Sequence, residues 1–264
     1  MSNTLFSITI KAITWLLVAI LALFLCAIIK EFFLSQSVRQ LNFNEIWFAV
    51  KLSLLTATAS SVAAIFFAIP IGYYLSRYHF RFQGLVDTFL DLPLVLSPIA
   101  LGAMILIFFN TGIGTIIEKL AGGIVFGLAG GIVFGVKGII VAQFFVIIGL
   151  GIRQVKLALE AIDPEFENIA RTLGCTQFKA FKKVTLPLAA KGILSAFLLV
   201  WARAVGEFGA TITIAGATTM KTETIPTAIF LSFESADIHG ATIFILILVA
   251  ISLTLLYGTR KLAT

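Results

Sequence analysis

What most constrains this chain is a set of long apolar runs without charge. No charged residue interrupts Ala12–Ile29, Leu52–Ser76 or Leu92–Ile117, and Ile238–Thr259 carries only the neutral His239. A helix needs about 20 mostly apolar residues to cross roughly 30 Å of hydrocarbon. In lipid each backbone N–H and C=O must find its partner within the segment or a closed sheet, so runs of this length read as spanning helices. Gly138–Ile152 is shorter, and it reaches spanning length if Lys137 and Arg153 snorkel toward the interfaces. Gly192–Ala215 completes the set, although it contains Arg203 and Glu207. Charged residues are only 12% of the 264 positions, against roughly 25% in soluble domains. That is too few to coat a soluble surface. The expected fold is therefore an all-α integral membrane protein of about six transmembrane helices. It forms a single domain over 1–264, with spans near 10–32, 47–77, 88–112, 136–158, 190–212 and 238–259.

The basic residues orient these spans, because short cytoplasmic loops retain Lys and Arg. With both termini inside, Arg77, Arg81, Arg153, Lys156, Arg171, Lys182, Lys183 and Lys191 all fall on the cytoplasmic side. One segment bears on this count. Gly122–Lys137 reads GGIVFGLA and then GGIVFGVK, a tandem octad that would invert everything after it if it crossed the membrane. Six glycines in those sixteen residues weaken a helix, by up to about 1 kcal/mol each relative to alanine. The segment is expected to be an external or re-entrant loop. The opening stretch lacks a basic region and a small-residue cleavage site, so the first apolar run is expected to be a retained helix. Cys26 and Cys175 are expected to be free thiols.

The most informative loop is the cytoplasmic stretch near 160–187. Asp163 is a good N-cap, Pro164 suits the first helical position, and Glu165 and Glu167 sit where the helix dipole favours negative charge. Phe166, Ile169, Ala170 and Leu173 recur at helical spacing to make an apolar face, and Gly174 suits a left-handed stop. Thr176 is expected to cap a second short helix that Leu186-Pro187 ends. By pattern alone this is either a membrane-surface helix or a docking helix.

Glu167, Ala170 and Gly174, followed by Val184-Thr185-Leu186-Pro187, resemble the EAA loop of ATP-binding-cassette (ABC) importer permeases, departing from it at Asn168 and Ile169. The resemblance implies that Glu167, Ala170, Arg171, Gly174, Leu186 and Pro187 dock a separate ATPase subunit, which carries the ATP and Mg. No G-x-x-x-x-G-K-[ST] motif is present, so this chain is expected to be no enzyme and to hold no cofactor or metal of its own.

In the fifth apolar stretch Arg203 and Glu207 stand four apart, the spacing of one helix face. An ionisable pair inside a membrane either locks the bundle or lines a path for ions. The block A-R-A-V-G-E-F-G-A-T-I-T around it and T-E-T-I-P-T-A-I-F over 222–230 are similar to the permease subunits of molybdate importers. That resemblance covers roughly residues 45–260 and includes Pro93 and Ser97-Pro98. The R-x-x-G-E-F-G part is shared with sulfate permeases. The resemblance implies a homodimer in a prokaryotic plasma (inner) membrane, two ATPase subunits, an extracytoplasmic oxyanion-binding protein, and transport of molybdate or tungstate by alternating access. Sulfate is the alternative substrate. A secondary transporter without an ATPase is the rival class, with only Arg203 and Glu207 available for ion coupling.

Overall fold

The computed structural model describes residues 3–34, 43–121 and 131–263. These residues form helices α1 (Asn3–Leu34), α2 (Phe43–Arg77), α3 (Gln83–Val95), α4 (Pro98–Phe109), α5 (Gly112–Ala121), α6 (Val136–Glu160), α7 (Glu165–Thr172) and α8 (Gln177–Ala180). A π-helical turn over Phe181–Thr185 joins α8 to α9 (Leu186–Val205), and α10 (Gly209–Ala215), α11 (Ile225–Glu234) and α12 (Ile238–Ala263) follow. There is no strand among the described residues. Five helical stretches are long and apolar enough to cross a membrane, and the bent pair α3–α4 makes a sixth.

That bend differs from the continuous span expected over 88–112. The axes of α3 and α4 differ by 108°. Pro98 removes an N–H and pushes the residue before it out of helical geometry. Ser97 is accordingly extended, and its hydroxyl accepts the Ala100 N–H at 3.3 Å to start α4. The span expected over 190–212 is also interrupted. Helix α9 stops at Val205, Gly206 closes it, and α10 restarts at Gly209.

A third difference lies at Leu186-Pro187, which does not end the second loop helix. The chain runs helically from Gln177 to Val205 through the π turn. In that turn the Leu186 N–H donates to the Phe181 carbonyl, one residue further back than in an α-helix. Pro187, which has no N–H to offer, sits in the first turn of α9, where the loosened ladder leaves room for it. The tandem octads lie largely outside the described residues. Their last part, 131–135, is a non-helical turn leading into α6, tied to α5 by Glu118 Oε1, which accepts the Ile132 and Val133 N–H groups at 2.8 and 3.1 Å.

Helix α6 is the central post. It packs against α2, α3, α9 and α10, and its buried face includes Ala142, Val146, Gly149 and Val155. The small side chains on α2 (Ala57, Ala64, Ala68) and α9 (Ala189, Ala196, Ala204) let these helices approach closely, the usual means of helix association where lipid removes the hydrophobic drive. At Gly149 the approach is backbone to backbone, since a Cβ there would stand 2.6 Å from the Leu90 carbonyl oxygen. The half-helices α4 and α10 meet in the same way. A Cβ on Gly102 would lie 2.9 Å from Ala210 Cα, and one on Gly209 would lie 3.0 Å from the Ile99 nitrogen. Helix α1 stands at the edge and packs chiefly along α12, where Phe32 stacks on His239 at 5.3 Å.

Candidate docking face and intramembrane ion pair

The short helix α7 forms where its sequence places it but begins at Glu165, with Pro164 just outside it and Asp163 capping from one residue further back. Asp163 Oδ1 accepts the Glu165 N–H at 2.9 Å. At the other end Gly174 adopts φ +87°, and the Cys175 N–H returns to the Ala170 carbonyl at 3.1 Å, closing the helix through a left-handed glycine. Thr176 then caps α8 by accepting the Lys179 N–H.

The two sides of α7 do different things. Phe166, Ile169 and Leu173 project outward, 52%, 51% and 81% exposed. An apolar stripe this open, on a helix of charged and polar residues, is a surface that none of the described residues covers. Arg171 and Gly174 are also exposed, and Ala170 is half-buried. Glu167 points the opposite way, into the protein. Its Oε1 accepts Arg77 Nε at 3.0 Å and the Thr185 hydroxyl at 2.7 Å, and its Oε2 accepts the Tyr73 hydroxyl at 2.7 Å. Arg77 also donates to the Ile162 carbonyl at 2.9 Å. With the Arg77 and Glu167 side chains only 9% and 8% exposed, this is a buried clamp. It fastens α7 to the end of α2 and to the π turn that feeds α9. Leu186 and Pro187 begin α9, half-buried and exposed respectively.

Burial alone would push the Glu167 carboxyl up. The bonds from Thr185, Tyr73 and Arg77, with the Arg77 charge, outweigh it and hold the group below its ordinary value of 4.5. A carboxyl depressed in the folded state stabilises the fold fully above its unfolded value and loses that contribution as pH falls through the folded value. Melting of the purified protein is therefore expected to be insensitive to Glu167 at neutral pH and to drop below pH 4.5. Glu167→Gln should lack this acid limb while keeping those of other carboxyls, which a comparison of the two melting profiles against pH checks.

The second site lies at the break between α9 and α10. Arg203 Nη1 and Glu207 Oε2 are 2.7 Å apart, so the pair read from the sequence forms, but not along one helix. Arg203 is in the last turn of α9, and Glu207 lies beyond its end. From there Glu207 Oε1 accepts the Ala210 N–H at 3.0 Å, capping α10 with a carboxylate. Burial is lopsided, with the Glu207 side chain 1% exposed and that of Arg203 40%. The T-I-P-T element is structural. The Thr224 N–H donates to Thr227 Oγ1 at 2.7 Å, and the Ile225 N–H donates to Ser53 Oγ of α2 at 2.8 Å, starting α11 in the interior.

Sequence reading missed Tyr73, Arg77, Thr185 and Gln143. Thr185 lies within the quoted loop motif and Arg77 among the cytoplasmic cations, but nothing in the sequence joins either of them or Tyr73 to Glu167, since that depends on which helix ends meet. Gln143 has a sequence signal, being the sole polar side chain in Gly138–Ile152. No group of three or more His, Cys, Asp or Glu side chains poised to hold a metal occurs among the described residues.

A helical bundle with one sharply bent span, one interrupted span and a fastened helix between two spans is the fold of the type I ABC importer permeases. A bacterial alginate ABC transporter, solved with an alginate pentasaccharide-bound periplasmic protein, matches at a TM-score of 0.70 and 17% identity over 98% of this chain and 93% of that one. The chain belongs to the family of binding-protein-dependent transport system inner membrane components, whose model matches residues 68–262. It is accordingly a multi-pass protein of the inner, or plasma, membrane.

Among curated relatives, a molybdenum transport system permease protein of Haemophilus influenzae is 35% identical, over 78% of this chain and 90% of its own. A molybdate/tungstate transport system permease protein of Pyrococcus abyssi is 32% identical over 63% of this chain, and the match spans 60% of that relative. A sulfate transport system permease protein of Salmonella typhimurium is 31% identical over 81% of this chain and 75% of its own.

Proposed function

We propose that this chain is the permease subunit of an importer for molybdate or tungstate, working as a homodimer. In this reading a separate ATPase subunit, which holds ATP and Mg, docks on the Phe166/Ile169/Leu173 face of each copy, and a binding protein delivers the anion from outside. Both termini are inside, which places α7 in the cytoplasm. The observation that carries the reading is the two-sided α7, open and apolar on one side and clamped to two spans on the other. A membrane-surface helix has no need of a buried fastener, whereas a transmitted push requires one. Closure of the ATPases would move α7, and Glu167 would carry that movement into α2 and α9, driving alternating access.

The substrate class is supported by the relatives' names and by Arg203. A guanidinium 40% exposed within a spanning helix is too costly to face lipid, so it faces the second copy or an aqueous path, where it can offer an anion the N–H groups that Glu207, 2.7 Å away, does not take. Sulfate is the second reading, favoured by the sulfate permease relative. Uptake of labelled molybdate into vesicles holding the complete transporter tests the choice. Unlabelled tungstate should compete and sulfate should not, and competition by sulfate at equal concentration would favour the second reading.

Docking has its own test at Gly174, where φ is +87°. A non-glycine residue in that region costs about 1–2 kcal/mol, more if β-branched. Gly174→Val is expected to fray the end of α7 and weaken recovery of the ATPase on the purified permease, while membrane insertion stays at the wild-type level. Unchanged recovery together with unchanged uptake would remove α7 as the docking element.

A further inference from the structure

The interior of the bundle holds one amide that neither the docking face nor the ion pair explains. Gln143 of α6 is 1% exposed and lies among apolar neighbours. Its Nε2 donates to the Ala204 carbonyl at 3.1 Å, and its Oε1 lies 3.2 Å from the Ser60 hydroxyl, whose single proton it shares with the Ala57 carbonyl at 3.1 Å. The orientation of the amide follows, since only the nitrogen can donate to a carbonyl. Ala204 is the residue next to Arg203, and its carbonyl also accepts the Glu207 N–H at 3.1 Å. Both hydrogen bonds fall on the one peptide group at which α9 gives way to the loop before α10. Ser60 in turn belongs to α2, about 25 Å along that helix from Arg77 at a rise of 1.5 Å per residue, and Arg77 is in the Glu167 clamp.

We propose that Gln143 is a positioning residue for transport. It fixes the broken end of α9, aims the Arg203–Glu207 pair, and ties that pair to α2, the helix whose far end is clamped to α7. A core amide kept only for packing would not need to meet α2 through its oxygen and, through its nitrogen, the α9 carbonyl beside the ion pair. Movement of α2 relative to α6 changes the Ser60–Gln143 contact, and the amide passes that change to the carbonyl that seats Glu207. The proposal rests on the importer reading given above.

The test uses the complete transporter in vesicles and reads molybdate moved per ATP hydrolysed, the KM for molybdate, and the melting temperature. Gln143→Leu removes both hydrogen bonds at similar volume. The molybdate-to-ATP ratio is expected to fall about ten-fold, within the range that losing two buried hydrogen bonds allows. Ser60→Ala, which removes only the α2 anchor, should lower the same ratio by a smaller factor, and it carries the test if leucine reduces folded yield. Adding Gln143→Leu to the Arg203→Met/Glu207→Gln double variant should lower its melting temperature by less than it lowers that of the wild type, because residues acting through one another are not additive. A wild-type ratio in both single variants, or a melting loss that adds fully to that of the double variant, would overturn the proposal. Failure of the importer reading looks different, since the wild-type complex itself would then move no molybdate.

Discussion

Glu167→Ala is expected to cost the purified permease about 3–5 kcal/mol, because removing one partner of a buried ion pair strands the other. The stranded group is Arg77, whose side chain is 9% exposed. The hydroxyls of Tyr73 and Thr185 lose their acceptor at the same time. The loss should be local before it is global, since Glu167 is the buried residue of α7. The melting temperature should fall, and protease cleavage near 160–177 should appear at temperatures where the spans remain intact. Glu167→Gln keeps an acceptor oxygen for one of the two hydroxyls, which now donate to different carboxylate oxygens, and should fall between the alanine variant and wild type. Equal melting of all three proteins would show that the clamp contributes nothing.

The Arg203–Glu207 pair gives the second large effect, and its lopsided burial sets the direction. Arg203→Met leaves a carboxylate at 1% exposure with the Ala210 N–H as its remaining partner, a loss in the range of about 3–5 kcal/mol. Glu207→Gln leaves a guanidinium that is 40% exposed and retains an oxygen to cap α10, so a loss of about 1 kcal/mol is expected, nearer that of a solvated pair. The double change should recover much of the arginine variant's loss, since replacing both charges is tolerated better than breaking the pair. Uptake separates two roles. If the pair only holds α9 to α10, the recovered double variant transports; if Arg203 guides the anion, it folds and hydrolyses ATP without moving molybdate. Strictly additive losses in melting and in uptake would refute the pairing.

Chemistry that is local was legible in the chain. The lengths of the apolar runs gave the membrane class and about six spans, because hydrocarbon thickness fixes how many residues a helix needs. The Asp163 cap, the Gly174 stop and the apolar stripe of α7 were readable because each depends on residues within one or two turns. The 108° bend at Ser97-Pro98 carried a local signal that an uninterrupted apolar run outweighed. The continuation of α9 through Pro187 had the opposite history. Proline usually ends a helix, and here a π turn absorbed its missing N–H.

Partnership at a distance was not legible. Arg203 and Glu207 look like a pair on one helix, yet Glu207 lies past the end of α9 and serves a second helix as well. Nothing in the order of residues says that Glu167 turns inward to Arg77 and Tyr73, ninety and more positions earlier, or that Gln143 reaches Ser60 and Ala204 on two other spans. The sequence by itself determined the elements, their membrane setting and the outward stripe of α7, since periodicity and capping act within a segment. Only the tertiary structure decided which polar groups are joined. In a low-dielectric interior a buried charge or amide must take whatever partner the packing of other helices brings within about 3 Å.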